Sequence, residues 1–398
     1  MKTQEHINLV ENFAAHNYHP LPVVLVRGEG VWVEDVEGKR YLDMLSAYSA
    51  LNQGHRHPRI IQALQEQVNR LCLTSRAFHN DQLGPFCQLL CTITGQEQAL
   101  LMNSGAEGVE TAIKCARRWG YTKKNVQPDH AEIIVCANNF HGRTITIISF
   151  SSEPLYKDGF GPFTPGFKVI PYDDIPALAS AINENTVGFL VEPIQGEGGI
   201  IVPKPGYIKQ AQELCRKHRM LFILDEIQTG LGRTGKLFCY QYEDVKPDLL
   251  ILGKALGGGC IPVSAVLGSK EVMSAFVPGN HGSTFGGNPL ACAVGRAAVA
   301  VIIDEKLPER SAELGAYFKK ELENINSPLV AEIRGKGLFI GVELKPDAGP
   351  ARGYCAKLLQ EGILAKDTHE KVIRFAPPLV IQKSEIDWAV ERIARVLK

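Results

Sequence analysis

The chain has 398 residues, 45% hydrophobic and 22% charged, an ordinary globular make-up with length enough for two domains. Its 43 Lys and Arg balance 43 Asp and Glu, so no excess charge directs it to nucleic acid or to an anionic membrane. The ten cysteines show no metal-ligand spacing, no apolar run approaches a bilayer span, and the first residues carry no secretory or mitochondrial address; buried thiols in a reducing cytoplasm are the expectation.

Residues 1–45 hold a glycine-rich hairpin, Val26 to Met44, expected to pack with a small C-terminal domain rather than with the main sheet. Residues 46–289 read as a large α/β domain. Its apolar runs Ala99–Met102, Ile133–Cys136, Val187–Val191, Leu221–Leu224 and Leu249–Leu252 do not alternate with polar residues. Such runs suit strands covered on both faces, in a mostly parallel sheet. Helices lie between them, as after Gly105, where Val109, Ala112, Ile113 and Ala116 recur at helical spacing. Residues 290–398 have an α+β texture and are expected to form the smaller domain. A long helical segment runs toward Asn324, strands follow within Val330–Leu344, then a helix at Arg352–Gln360, a strand at Val372–Phe375 and a final helix from Ser384.

Ligands of open α/β sheets sit beyond the carboxyl ends of the strands, and three features fall there. Asn103-Ser104-Gly105-Ala106 follows one run and opens a helix, whose free N–H groups and dipole suit a phosphate. Asp225 ends the run Leu221–Leu224. Lys254 follows Leu249–Leu252 and one glycine; an amine held in such a crevice loses basicity and can attack an aldehyde. Singly, these read as an ordinary turn, a helix cap or metal ligand, and a solvated lysine. Together they supply what pyridoxal phosphate requires: a phosphate anchor, a partner for the pyridinium nitrogen and a Schiff-base lysine.

Two other motifs compete. Gly230-Leu231-Gly232-Arg233-Thr234-Gly235-Lys236-Leu237 keeps the Walker A spacing until Leu237 replaces the metal-holding hydroxyl. It also fits Gly-x-Gly-x-x-Gly, but opens at no strand end. A nucleotide-binding protein using the Gly230–Lys236 loop is therefore the alternative from a different class. His55-Arg56-His57 has no third ligand in view and reads as a loop, so no metal is expected.

With these residues in hand, the chain resembles the class III, fold-type I pyridoxal-phosphate aminotransferases from end to end. NSGAEGVETAIK, FHGRT, VEPIQGEGG, LDEIQTGLGRTG, LGKALGGG and GSTFGGNPL occur in family order. HNYHPLPVVLVRGEG and LSAYSALNQGHRHP, carrying Tyr18 and Tyr48, resemble the branch that acts on ornithine more than those acting on acetylornithine or 4-aminobutyrate.

The resemblance implies the fold-type I architecture, a large domain with a mostly parallel central sheet plus a smaller α+β domain. It implies Lys254 as the cofactor-bearing lysine, Asp225 as partner of the ring nitrogen, Gln228 near the phenolic oxygen and Phe140 stacked on the ring. Gly105 and Ala106 would donate to the phosphate, and Thr284 would reach the phosphate of a neighbouring subunit, implying a homodimer. The implied substrates are L-ornithine, which loses its δ-amino group, and 2-oxoglutarate, with acetylornithine or another ω-amino acid as alternative donor. Tyr18 and Tyr48 would shape the ornithine end, with Tyr18 near the α-amino group, and Arg143 would bind a substrate carboxylate. Arg374 would bind the α-carboxylate of glutamate or 2-oxoglutarate, and Glu197 would cover Arg374 when ornithine is present. A switch, a structural salt bridge and two unrelated charges all remain open for that pair. His141 stands where some relatives carry Trp.

Overall fold

The computed structural model describes all 398 residues. At its centre is a seven-stranded sheet in the order Gln98–Met102, Ser264–Gly268, Leu249–Leu252, Leu221–Asp225, Thr186–Val191, Glu132–Cys136, Phe167–Ile170. Ser264–Gly268 runs antiparallel to both neighbours and every other adjacent pair is parallel, so the mostly parallel sheet expected from the apolar runs is present. The runs are unbroken because both faces are dry. Phe222 and Leu224 enter one core while Leu221 and Ile223 enter the other, and Leu250 and Leu252 divide from Leu249 and Ile251 in the same way. Helix Gly105–Trp119 lays Val109, Ala112, Ile113 and Ala116 on the second face. Burial of each Val, Leu, Ile or Phe side chain here contributes about 1.5–3 kcal/mol.

Two strands of this sheet were not foreseen. Phe167–Ile170 is an edge strand whose pattern is interrupted by Lys168, and Ser264–Gly268, though wholly buried, includes Ser, Ala and Gly. Neither presents the branched apolar run by which the others announce themselves.

The N-terminal strands Leu25–Glu29, Trp32–Asp35 and Arg40–Asp43 form a second sheet, extended in parallel by Ile363–Leu364 from the far end of the chain. A third, antiparallel sheet has the order Val330–Lys336, Phe339–Leu344, Val372–Phe375, Lys366–Thr368. The helical segment toward Asn324 is two helices, Pro289–Asp304 and Leu307–Asn324. They break at Lys306, which takes a left-handed φ of 52° ahead of Leu307 and Pro308. A proline cannot donate to the preceding turn, so it starts a new helix rather than continuing the old one. No helix is long and apolar enough to cross a membrane.

Register positions the site. Val191 pairs with Leu224, and Asp225 with Ile251, so the chain leaves these three strands along one edge of the sheet. Glu192, Asp225 and Lys254 emerge there side by side.

Helix Leu307–Asn324 reaches the hairpin turn of the third sheet so closely that a Cβ on Gly315 would lie 2.1 Å from the carbonyl carbon of Gly337. Gly315→Ala sets a helix-propensity gain of about 1 kcal/mol against an overpacking cost of about 1–3 kcal/mol. The obstructing atoms are backbone, so the cost wins and the melting temperature should fall by about 1–2 °C; a rise would show that the hairpin yields.

Candidate active site

A cavity of about 190 Å³ opens at this edge, lined by Gly105, Ala106, Phe140, Asp225, Gln228 and Lys254, together with His141 and Glu192. Four larger hollows, about 680, 580, 410 and 210 Å³, lie elsewhere and contain none of these residues.

Asp225 forms the floor at 4% exposure. His141 Nδ1 stands 2.6 Å from its Oδ2, and Ile227 N donates to Oδ1 at 3.0 Å. A carboxylate only accepts, so His141 Nδ1 carries the hydrogen. Burial alone would lower the pKa of His141, but the bond to Asp225 and the charges of Asp225 and Glu192 outweigh it and raise it. The sequence reading attached no role to His141 and missed Glu192, although Glu192 directly follows the run Val187–Val191, where the same strand-end rule applies. Glu192 Oε2 accepts from Phe140 N at 3.1 Å and Oε1 from Gly196 N at 3.4 Å, so this carboxyl fixes the backbone that carries the Phe140 ring. Burial pushes Glu192 up to about 7; His141 opposes that shift and Asp225 adds to it.

Lys254 begins a short turn, Lys254–Gly257, in a left-handed conformation with φ 47°. Burial lowers the pKa of its amine, opposed by the nearby charges of Glu197 and Asp225. Across the cavity, helix Gly105–Trp119 starts with a capping box. Ser104 Oγ accepts from Glu107 N at 3.2 Å, and Glu107 Oε2 accepts from Ser104 N at 2.7 Å and from Asn103 N at 3.0 Å. First-turn N–H groups have no partner inside the helix, so those of Gly105 and Ala106 remain available where these residues line the cavity.

At the other end, Arg374 is wholly buried and donates from Nη1 to Glu197 Oε1 at 2.5 Å and from Nη2 to Oε2 at 3.4 Å. Thr368 Oγ1 donates to Glu197 O at 2.5 Å. Burial raises the pKa of Glu197, but the charge and hydrogen bond of Arg374 outweigh it and hold the carboxyl at about 2. The Arg374 guanidinium lies 5.0 Å from the centre of the Tyr48 ring. Gln228 Nε2 donates to Tyr48 O at 3.2 Å and to Glu197 Oε1 at 3.5 Å, joining this end to the floor. Burial is the first cause raising the pKa of the Tyr48 hydroxyl; Glu197 and Tyr18 push the same way, while Arg374 and Arg143 oppose. Tyr18, itself 67% exposed, and Arg143 therefore share one electrostatic neighbourhood with the pair. The Arg143 guanidinium lies 4.3 Å from the Tyr156 ring centre and 5.8 Å from that of Phe140. Tyr18, Tyr48, Arg143, Glu197 and Arg374 lie beside the cavity rather than in its lining, and Thr284 is not in the lining either; it sits exposed beside Phe285, which is 54% exposed.

These groups fit pyridoxal phosphate: two free N–H groups at a helix start, a buried carboxylate and a weakened amine line the same cavity. Space is kept by glycines, since a Cβ on Gly142 would lie 2.8 Å from Ala106 Cβ.

The aminotransferase class-III family profile matches residues 13–397. An ornithine aminotransferase of Brevibacillus brevis is 61% identical over 396 residues, covering 100% of this chain and 98% of the relative. Among solved structures, the ornithine aminotransferase of Toxoplasma gondii superposes with a TM-score of 0.98 at 48% identity, over 100% of this chain and 95% of that one. The acetylornithine aminotransferase of Elizabethkingia anophelis gives 0.91 at 50% identity, over 100% and 99%.

A Cβ on Gly196 would fall 1.5 Å from Gln228 Oε1, so Gly196→Ala must displace the Gln228 amide. Aminotransferase activity should drop about 10–100-fold, as for an ångström-scale misplacement, with circular dichroism unchanged. Activity near wild type would mean that the position of Gln228 does not matter.

Proposed function

This chain belongs to the class III aminotransferase family, and we propose that it transfers the δ-amino group of L-ornithine to 2-oxoglutarate. The products are glutamate 5-semialdehyde, which cyclises to pyrroline-5-carboxylate, and L-glutamate. Aminotransferases of this class depend on pyridoxal phosphate, which when bound supplies an aldehyde for amine exchange and an electron-withdrawing ring.

In this reading Gly105 and Ala106 N–H groups would hold the phosphate, Asp225 would keep a proton on the ring nitrogen, and His141 fixes Asp225 in place. Phe140 and Gln228, both in the cavity lining, would cover a ring face and reach the phenolic oxygen. Lys254 Nζ, its basicity lowered by burial, would act as general base, carrying a proton from the δ-carbon of ornithine to the cofactor's carbon. Thr284 of a second copy completes the phosphate site, which makes the enzyme a homodimer; the exposure of Thr284 and Phe285 supports this. Residues 46–289 are the cofactor-holding domain, and 1–45 join 290–398 in the smaller one, which the pairing of Arg40–Asp43 with Ile363–Leu364 supports. Ten free cysteines support a reducing, cytoplasmic setting.

The Glu197–Arg374 pair carries the choice of amine. Ornithine has an α- and a δ-amine, and a free Arg374 would hold its α-carboxylate so as to present the α-amine. With Glu197 on Arg374 that mode is closed, and Arg143, Tyr18 and Tyr48 hold the amino-acid end instead. When 2-oxoglutarate enters, its carboxylate replaces that of Glu197 on the same guanidinium. One buried carboxylate is exchanged for another, so the swap costs far less than exposing an unpaired charge.

Incubation with ornithine and 2-oxoglutarate should yield the cyclic imine. Turnover of ornithine should exceed that of N-acetylornithine by at least about tenfold, roughly 1.4 kcal/mol of differential transition-state binding. Preference for the acetylated donor would assign the acetylornithine reaction instead. Borohydride should fix the cofactor to the peptide containing Lys254, whereas a colourless protein that binds ATP would overturn the enzyme reading. Glu197→Ala should shift the δ-to-α partition of ornithine toward the α-amine by about tenfold or more, measured from the two products. An unchanged partition would exclude the switch.

A further inference from the structure

The loop that imitates a phosphate-binding motif turns its arginine inward. Arg233 is completely buried. Nη1 donates to the carbonyls of Leu338 at 2.9 Å and Pro377 at 2.6 Å; Nη2 donates to Asn52 Oδ1 at 2.6 Å and Ser46 Oγ at 3.1 Å. None of these acceptors is charged. Burial lowers the pKa of the guanidinium to about 9, opposed only by the charge of Asp43. A buried cation held by neutral acceptors is poor value as a stabiliser, and the planar fork is better explained by the geometry it imposes.

The four acceptors belong to the segments that carry the substrate end. Ser46 opens the turn containing Tyr48, and its Oγ donates onward to Ala376 O at 2.6 Å. Pro377 lies three residues beyond Arg374. Leu338 leads into strand Phe339–Leu344, where Gly341 pairs with Arg374. Asn52 returns to the loop by donating from Nδ2 to Leu231 O at 2.9 Å, and Ser311 Oγ donates to Arg233 O at 2.8 Å. Arg233 itself is five residues after Gln228, whose amide meets both Tyr48 and Glu197.

We propose that Arg233 is a positioning residue for substrate recognition. Its guanidinium fixes the spacing of Tyr48, Gln228 and the Glu197–Arg374 pair, and so sets affinity at that end of the cavity without touching substrate or cofactor. This rests on the reading of those residues as the substrate end.

The test uses the holoenzyme of Arg233→Lys and of Ser46→Ala, with whichever amino donor the wild type turns over, so that a wrong donor assignment does not count against Arg233. A single ammonium cannot span four acceptors. Arg233→Lys should raise the donor KM and the Kd of glutarate, an unreactive dicarboxylate, about tenfold or more, with kcat within about threefold. The absorption spectrum and cofactor Kd should stay those of the wild type. Ser46→Ala, which leaves Arg233 in place and removes one of its four bonds together with the onward bond to Ala376 O, should move the same constants the same way by about threefold. A fall in melting temperature with unchanged KM and glutarate Kd would reduce Arg233 to a structural brace and overturn the proposal. So would a changed spectrum and kcat at constant KM. If Arg233→Lys does not fold, unchanged constants in Ser46→Ala overturn it alone.

Discussion

Parallel hydrogen bonding among Thr186–Val191, Leu221–Asp225 and Leu249–Leu252 leaves little freedom in where the next side chains emerge. Each strand is dry on both faces, so a slip of register would carry apolar residues to the rim and the charged ones inward. Glu192, Asp225 and Lys254 are therefore held by the cohesion of two cores rather than by their own contacts. The helix start at Ser104 depends on the same sheet, because Ser264 Oγ, on the one antiparallel strand of the sheet, donates to Ser104 O at 2.7 Å.

What the sheet brings together would be unstable without internal charge balance. Three carboxyls (Glu192, Glu197, Asp225) and three potential cations (His141, Lys254, Arg374) occupy a small volume, and burial costs several kcal/mol for each unpaired ion. Glu192 and Glu197 make the rule visible. Burial disfavours ionisation of both, yet one is pushed up to about 7 and the other held at about 2. Glu197 faces a guanidinium, whereas Glu192 bonds only backbone N–H groups and has Asp225 as a like-charged neighbour. Partner chemistry decides the sign of each shift, and depth alone does not.

The sequence makes legible whatever depends on local chemistry. Unbroken apolar runs announced most of the central strands, and the residue after a run announced Asp225 and Lys254. Glu192 follows the same rule and was passed over because Glu192-Pro193 was read only as part of a motif. Contacts between distant segments left no local trace. His141 meets Asp225 across 84 residues and Glu197 meets Arg374 across 177; no composition or period encodes either pairing. Of the readings open for Glu197 and Arg374, two unrelated charges is removed by their contact. Arg233 was hidden differently, since its glycine-rich surroundings advertise a nucleotide loop while its side chain points into the protein. The four left-handed residues Ser46–Ser49 include no glycine, so the usual signal for such a turn was absent.

That turn shows where strain is borne. Its φ values are 45°, 47°, 61° and 70°, and a left-handed non-glycine residue costs about 1–2 kcal/mol. The approach of Tyr48 to the Arg374 guanidinium, a cation–π contact worth about 0.5–2 kcal/mol, cannot offset four such residues. The remainder comes from outside the cavity. Asp43 Oδ1 accepts from Leu45 N at 2.9 Å and from Ser46 N at 2.8 Å, and Asp43 Oδ2 lies 2.8 Å from His55 Nε2. Tyr48 is thus held from behind, independently of what lies in front of it. Glu197 is held differently: its backbone is tied down by Thr368, while its carboxylate, at 24% side-chain exposure, reaches the wholly buried Arg374. Under the proposed switch, exchange of carboxylates on Arg374 would ask only the Glu197 side chain to move, because Tyr48 and the Glu197 backbone are held by other contacts.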